Sequence, residues 1–172
     1  GGTSFTLTAG QLAGLQITPA PDSDADFQLS VSSTSTEAGG GDSETVTGTI
    51  NVSVAADADA PTLDLDSTVA GDQAAGAAAG TEDQAIDLDV ASALTDTDGS
   101  ESLSITIGNV PAGAVLTNTA GDVFSGGTSF TLTAGQLAGL QITPNPNDDT
   151  DFQLSVSSTS TEADGGDSET VT

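Results

Sequence analysis

The side chains with chemistry to offer in this sequence are carboxylates, and they come in four groups. Asp57 and Asp59 alternate with alanine ahead of Pro61 in "DADAP", Glu82 and Asp83 form "TED", and Asp96, Asp98 and Glu101 lie in "DTDGSE". Asp22, Asp24 and Asp26 lie in "PDSDADF", whose near-copy "PNDDTDF" supplies Asn147, Asp149 and Asp151. Hard oxygen ligands at i and i+2 on a bent loop converge on one ion, and Ca²⁺ takes six to eight oxygens at about 2.3 to 2.6 Å in tolerant geometry. Oxygen donors without nitrogen or sulfur select calcium over zinc or copper. On a flat strand, i and i+2 share a face without meeting, so the turn residues Pro21, Pro61 and Gly99 are what permit convergence. These residues are the candidate Ca²⁺ ligands.

Two known calcium loops are excluded by position. An EF-hand register ending on Asp98-Gly99 would need acids at Leu94 and Ile105, and the glycine-rich nonapeptide of calcium-binding β-rolls would need tandem copies where "GGGDSE" occurs singly. Glu37, Asp42 and Glu44, with their counterparts Glu162, Asp167 and Glu169, read as solvated acids.

The charge balance calls for an external cation. The chain has 26 acidic residues, no Lys, Arg or His, and a formal charge of -26 over 172 residues. Two carboxylates about 5 Å apart repel by roughly 0.8 kcal/mol even at water's dielectric, so the folded form needs bound ions or bulk salt. The missing residue types also remove functions. Without His, Cys or Lys there is no catalytic triad, thiol nucleophile, Schiff base or phosphate-binding lysine, and nucleic acid is excluded because its binding needs Lys and Arg. Paired carboxylates for glycoside hydrolysis would need one acid in an apolar pocket, whereas every acidic group here lies in polar, turn-rich sequence. The reading is therefore not an enzyme, and no run is long enough for a membrane span.

The elements that position these acids follow from an internal repeat. "GGTSFTLTAGQLAGLQITP" occurs at Gly1 and again at Gly126, and over 47 paired positions at an offset of 125 residues only five differ: Ala20/Asn145, Asp22/Asn147, Ser23/Asp148, Ala25/Thr150 and Gly39/Asp164. A unit of that length is a whole domain rather than a solenoid turn. Period-two alternation recurs in it at Leu63/Leu65, Ile86/Leu88/Val90, Leu103/Ile105/Ile107, Phe130/Leu132, Phe152/Leu154/Val156 and Ile50/Val52/Val54, with Gly, Asp, Asn, Ser and Pro between. The expectation is an all-β fold of antiparallel sandwich repeats in tandem, with one solvated side per sheet. "TAGQLAGLQI" reads as a short helical turn before a strand, with Leu137 and Leu140 inward. The core is built from Val, Ile, Leu and Ala, because the chain has five Phe and no Trp or Tyr.

The expected division is residues 1–55 as the C-terminal half of one unit, 56–61 as linker, and 62–172 as a second unit lacking its last strand. Open edges of that kind invite strand complementation or filament contacts with like chains.

Two resemblances add to this reading. Asp57, Asp59, Ala60 and Pro61 in "DADAP" resemble the calcium-binding junction between cadherin domains, although the asparagines of that junction are missing. Residues from about Glu82 to Phe152, with "EDQAIDLDVASALTDTDGSESLSITIGNVPAGAVL", "FTLTAGQLAGLQITP" and "DFQLSVSSTSTE", resemble the long Ig-like or cadherin-like repeats of giant bacterial RTX adhesins exported by type I secretion. The resemblance implies an extracellular, cell-surface spacer that joins neighbouring repeats of the same chain, stiffens with calcium and serves adhesion or biofilm formation. Alternatives are an extracellular binding module for a glycan or protein ligand and an acidic halophilic domain without specific ion sites.

Overall fold

The computed structural model describes residues 4–65, 76–163 and 166–172. The chain divides into two compact units, Gly1–Val54 and Ala55–Thr172. The alanine-rich stretch read as linker therefore belongs to the second unit.

In the first unit, a 3₁₀ turn (Ala9–Gln11) precedes a hairpin of β1 (Phe27–Thr36) and β2 (Ser43–Val52), paired antiparallel from Phe27↔Val52 to Thr36↔Ser43. The second unit is richer. Its strands are β3 (Thr62–Asp64), β4 (Ile86–Asp87), β5 (Ala91–Ala93), β6 (Glu101–Gly108), β7 (Val115–Thr117), β8 (Val123–Phe124), β9 (Ser129–Leu132), β10 (Gln141–Thr143), β11 (Ser155–Glu162) and β12 (Ser168–Val171). They form two four-stranded antiparallel sheets, ordered β4-β10-β7-β8 and β12-β11-β6-β9, with β3 and β5 paired separately. This is the expected all-β architecture with antiparallel sheets, consistent with a sandwich. Between the sheets lie Ile105 and Ile107 of β6, Leu132 of β9, Leu116 of β7 and Ile142 of β10, joined by Val110, Ala114, Leu137 and Leu140. The core is aliphatic, and its aromatic contribution is limited to Phe124 and Phe130 at its margin, with ring centroids 6.0 Å apart.

The "TAGQL" segment forms a second 3₁₀ turn (Ala134–Leu137) with Leu137 and Leu140 buried, as expected. Gln136 N–H donates to the Thr133 carbonyl, and the Gln136 side chain accepts from the Thr133 N–H, so two backbone groups at the start of the turn are satisfied locally. Asp122 fixes this turn to the 118–122 loop by accepting from the side-chain amides of Asn118 (3.0 Å) and Gln136 (3.1 Å). Those two bonds favour the ionised carboxylate and hold its pKa below the usual 3.8.

Alternation located β6 and β9, and at Leu63/Leu65 and Ile86/Leu88 it also marked the short β3 and β4. β7 and β8, of three and two residues, carry no alternating apolar run and were missed. At Ile86/Leu88/Val90 the side chains pack on the core, and Leu88 N–H still donates in register to the Leu140 carbonyl at 2.8 Å, but the ladder stops there because Leu140 N–H turns back to the Leu137 carbonyl at 3.1 Å. Among the described residues, no helix is long and apolar enough to cross a membrane.

Candidate functional site

The inner face of β11 changes character along its length. Val156, Ser158, Ser160 and Glu162 point inward, opposite Ile107, Ile105, Leu103 and Glu101 of β6. Ser158 and Ser160 are fully buried, and each holds a neighbouring segment. Ser158 shares a 2.6 Å hydrogen bond with Ser92 of β5, whose hydroxyl donates to the Thr62 carbonyl, while Ser160 donates to the carbonyl of Asp59. The strand thus passes from an apolar core position to an acidic one over six residues.

At its acidic end the ladder sets two carboxylates face to face. Ala163 N–H donates to the Ser100 carbonyl at 3.0 Å, which makes Glu101↔Glu162 a non-hydrogen-bonded pair. In such pairs the facing Cβ atoms approach to about 4.5 to 5.5 Å. Glu162 is only 5% exposed. Glu101 Oε1 accepts the Asp59 N–H at 2.7 Å, while its Oε2 is shielded from solvent and accepts no hydrogen bond from the protein. Thr95 Oγ1 donates to the Ala60 carbonyl at 2.7 Å, and Ala58 and Pro61 are buried. Residues 58–61 are therefore clasped against the sandwich through their backbone.

The "DTDGSE" loop wraps the same end. Asp96, 7% exposed, accepts the Asp98 N–H at 2.8 Å, and Asp98 accepts the Ser100 N–H at 2.7 Å across Gly99, whose φ is 98°. The second of these turns passes through Gly99 in the left-handed region, which glycine adopts without penalty. Bonds from the Ser100 hydroxyl and N–H, with a smaller one from Asp96, lower the pKa of Asp98. Asp57 is exposed beside this end in sequence.

The remaining candidates fall elsewhere. Glu82 and Asp83 are exposed, and Asp83 Oδ1 accepts the Asn147 N–H at 2.9 Å, which joins the "TED" turn to the "PNDDTDF" loop. Asn145, just ahead of that loop, abuts Gly113, five residues past β6, so the Asp83–Asn147 contact lies at the end of the sandwich opposite Glu101. With a rise of about 3.3 Å per residue, β6 separates the two ends by about 23 Å. Asn147 has φ 58° and its counterpart Asp22 φ 56°, so this position serves a left-handed turn that Asp and Asn both tolerate. Asp148 accepts the Thr150 N–H, and bonds from Thr150 lower its pKa. Asp149 and Asp151 are exposed. In the first unit, Asp22 is exposed, Asp24 half-buried, and Asp26 Oδ1 accepts the Val54 N–H at 2.8 Å.

The expectation that Glu162 is solvated is wrong for this unit. Continuing the Phe152/Leu154/Val156 alternation by three steps puts Ser158, Ser160 and Glu162 on the inner face, which was the signal available in the sequence. Its counterpart Glu37 is exposed, as expected.

Among the described residues, no three acidic side chains stand close enough to form a ready-made ligand set. What fits a hard cation is the donor chemistry at the clasped end: Glu101 Oε2, buried without a hydrogen-bond donor, and the nearly buried Asp96, in a chain with no basic residue. Comparison with known proteins finds no matching family model, no matching curated protein and no matching solved structure.

Proposed function

We propose that this chain is a structural spacer, an extender repeat of a bacterial cell-surface adhesin or extracellular filament, of Ig-like or cadherin-like type, whose acidic ends are stiffened by calcium. The carrying observation is the clasp at Asp59: the segment entering the second unit is held by a glutamate that faces another glutamate, with no side chain of opposite charge to offset them. Asp96, Asp98, Glu101 and Glu162, with Asp57 and Asp59 from the entering segment, are the residues that would have to draw together around the ion, since among the described residues no three of them form a ready-made set. Bound there, calcium would supply positive charge to the cluster and join segment to sandwich. The near-identical halves at residues 1–47 and 126–172 support a repeated mechanical role.

Weak sites suffice outside a cell, where calcium is millimolar. With Kd about 10⁻⁴ to 10⁻³ M, 10 mM calcium adds about 1.4 to 2.7 kcal/mol per site. The test is thermal unfolding with and without calcium at high, fixed ionic strength, alongside calorimetric titration. A saturable rise in midpoint with measurable binding heat is expected. A midpoint that follows ionic strength alone, whether set by CaCl₂ or NaCl, sinks the reading in favour of general charge screening.

A further inference from the structure

The segment at the start of the second unit is held the way a bound peptide is held. Its backbone groups are taken by side chains from separate places in the fold: Glu101 of β6 accepts the Asp59 N–H, Ser160 of β11 donates to the Asp59 carbonyl, Thr95 donates to the Ala60 carbonyl, and Ser92 of β5 donates to the Thr62 carbonyl. Thr62 returns the grip, its hydroxyl donating to the Ala93 carbonyl at 3.2 Å and accepting the Ala93 N–H at 3.1 Å. Asp59 and Ala60 are exposed, whereas Ala58, 8% exposed, and Pro61 are buried. Main-chain bonds for grip and buried side chains at set spacing for selectivity are the means by which grooves read extended peptides. Pro61 suits its place because no N–H is called for there.

This segment stands apart from the aliphatic core. Among the described residues, the core cluster and the hydrophobic side chains packed on it all come from residue 86 onward, and neither Ala58 nor Leu63 belongs to them. β3 is three residues long and pairs with β5 outside both four-stranded sheets. What seats the segment is therefore a short set of hydrogen bonds, each worth a factor of about two to twelve in an equilibrium constant, with two small buried side chains. Elements held by few buried apolar contacts open at a lower free energy than the core beside them.

We propose that residues 58–64 are a strap that opens and reseats as one element while the sandwich stays folded, and that its seat selects a small residue and a proline three positions apart. Ala58 and Pro61, rather than the aspartates around them, set how firmly it closes. The entering segment then has two states, seated and free, and the free strap supplies up to about 24 Å of extended chain. The balance between them is set by the side chains of Ser92, Thr95, Glu101 and Ser160, and no ion is needed for either state.

Native-state hydrogen exchange on the full chain, in EDTA and at fixed high salt, tests the strap without reference to calcium. The Asp59 and Ala93 amides are both bonded across it. They are expected to share one protection factor, at least about a hundredfold below that of the β6 amides. Thr95→Val removes one bond from the seat and should lower both strap protections together by about fivefold, leaving β6 unmoved. Ala58→Leu overfills a buried place and should lower both by about tenfold or more, whereas Asp59→Ala, an exposed side chain, should change the Ala93 protection by less than about threefold. Strap amides as protected as β6, a Thr95→Val effect on one amide without the other, or an Asp59→Ala effect as large as that of Ala58→Leu overturns the proposal.

Discussion

Glu101 and Glu162 stand directly opposite each other at the clasped end of the β6–β11 ladder, and Glu101 also holds the backbone N–H of Asp59. At an effective dielectric of about 20, carboxylates about 5 Å apart repel by about 3 kcal/mol. Neutralising one of them by Glu162→Gln is therefore expected to raise the unfolding free energy in chelator by about 1 to 3 kcal/mol. The same variant is expected to lose most of the stabilisation by calcium. Melts of both proteins in EDTA and in calcium check the two signs together; a variant less stable than the parent in EDTA would falsify the repulsion argument.

Acid should weaken the fold through three other aspartates. Hydrogen bonds from Ser100 to Asp98, from Asn118 and Gln136 to Asp122, and from Thr150 to Asp148 lower each pKa from 3.8. A depressed folded-state pKa stabilises fully above the unfolded value and is lost as pH falls through the folded one. The expected contribution is flat above about pH 5 and declines below about 3.8. Urea unfolding of the parent and of an Asp98→Asn/Asp122→Asn/Asp148→Asn variant, followed downward in pH, should show the difference between them closing over that range.

The left-handed turn at Asn147 gives a test of backbone strain. Asn147→Gly is expected to be close to neutral, whereas Asn147→Ala keeps the Cβ that stands against the following carbonyl at φ 58° and loses the short polar side chain that makes this conformation tolerable, and should cost about 1 kcal/mol. Equal effects of the two substitutions would show that the side chain, not the backbone conformation, matters there.

Leu140 and Leu15 occupy matching positions of the repeat, the first 1% and the second 61% exposed. Leu140→Ala is expected to cost about 2 to 5 kcal/mol through lost burial and a residual cavity. Leu15→Ala should change unfolding of the second unit by less than about 0.5 kcal/mol. Denaturant midpoints at low protein concentration, where chains are separate, decide this.

Legibility in the sequence followed the length of each pattern. The alternation at Leu103/Ile105/Ile107 is long enough to reveal β6, and "TAGQLAGLQI" with Leu137 and Leu140 reveals a turn, whose bonds prove to be local. β9 was visible as alternation at Phe130/Leu132, yet the same residues at Phe5/Leu7 form no strand, because a ladder needs a partner that the local sequence does not encode. The acidic groups were legible as groups. Their grouping in space was not: Asp83 meets the Asn147 loop rather than the "DTDGSE" loop, and Glu162 joins Glu101 only through the β6–β11 register, which pairs residues 61 apart in sequence.

The clasp on Asp59 uses its amide and its carbonyl, and the neighbouring bond uses the carbonyl of Ala60. Because main-chain atoms are present whatever the side chain, replacing Asp59 leaves these bonds in place, while changes at Glu101, Ser160 or Thr95 remove them one at a time. If the chain is loaded as the proposed spacer would be, tension from the preceding residues would meet these anchors before the aliphatic core, and they would yield first and lengthen the tether ahead of the sandwich.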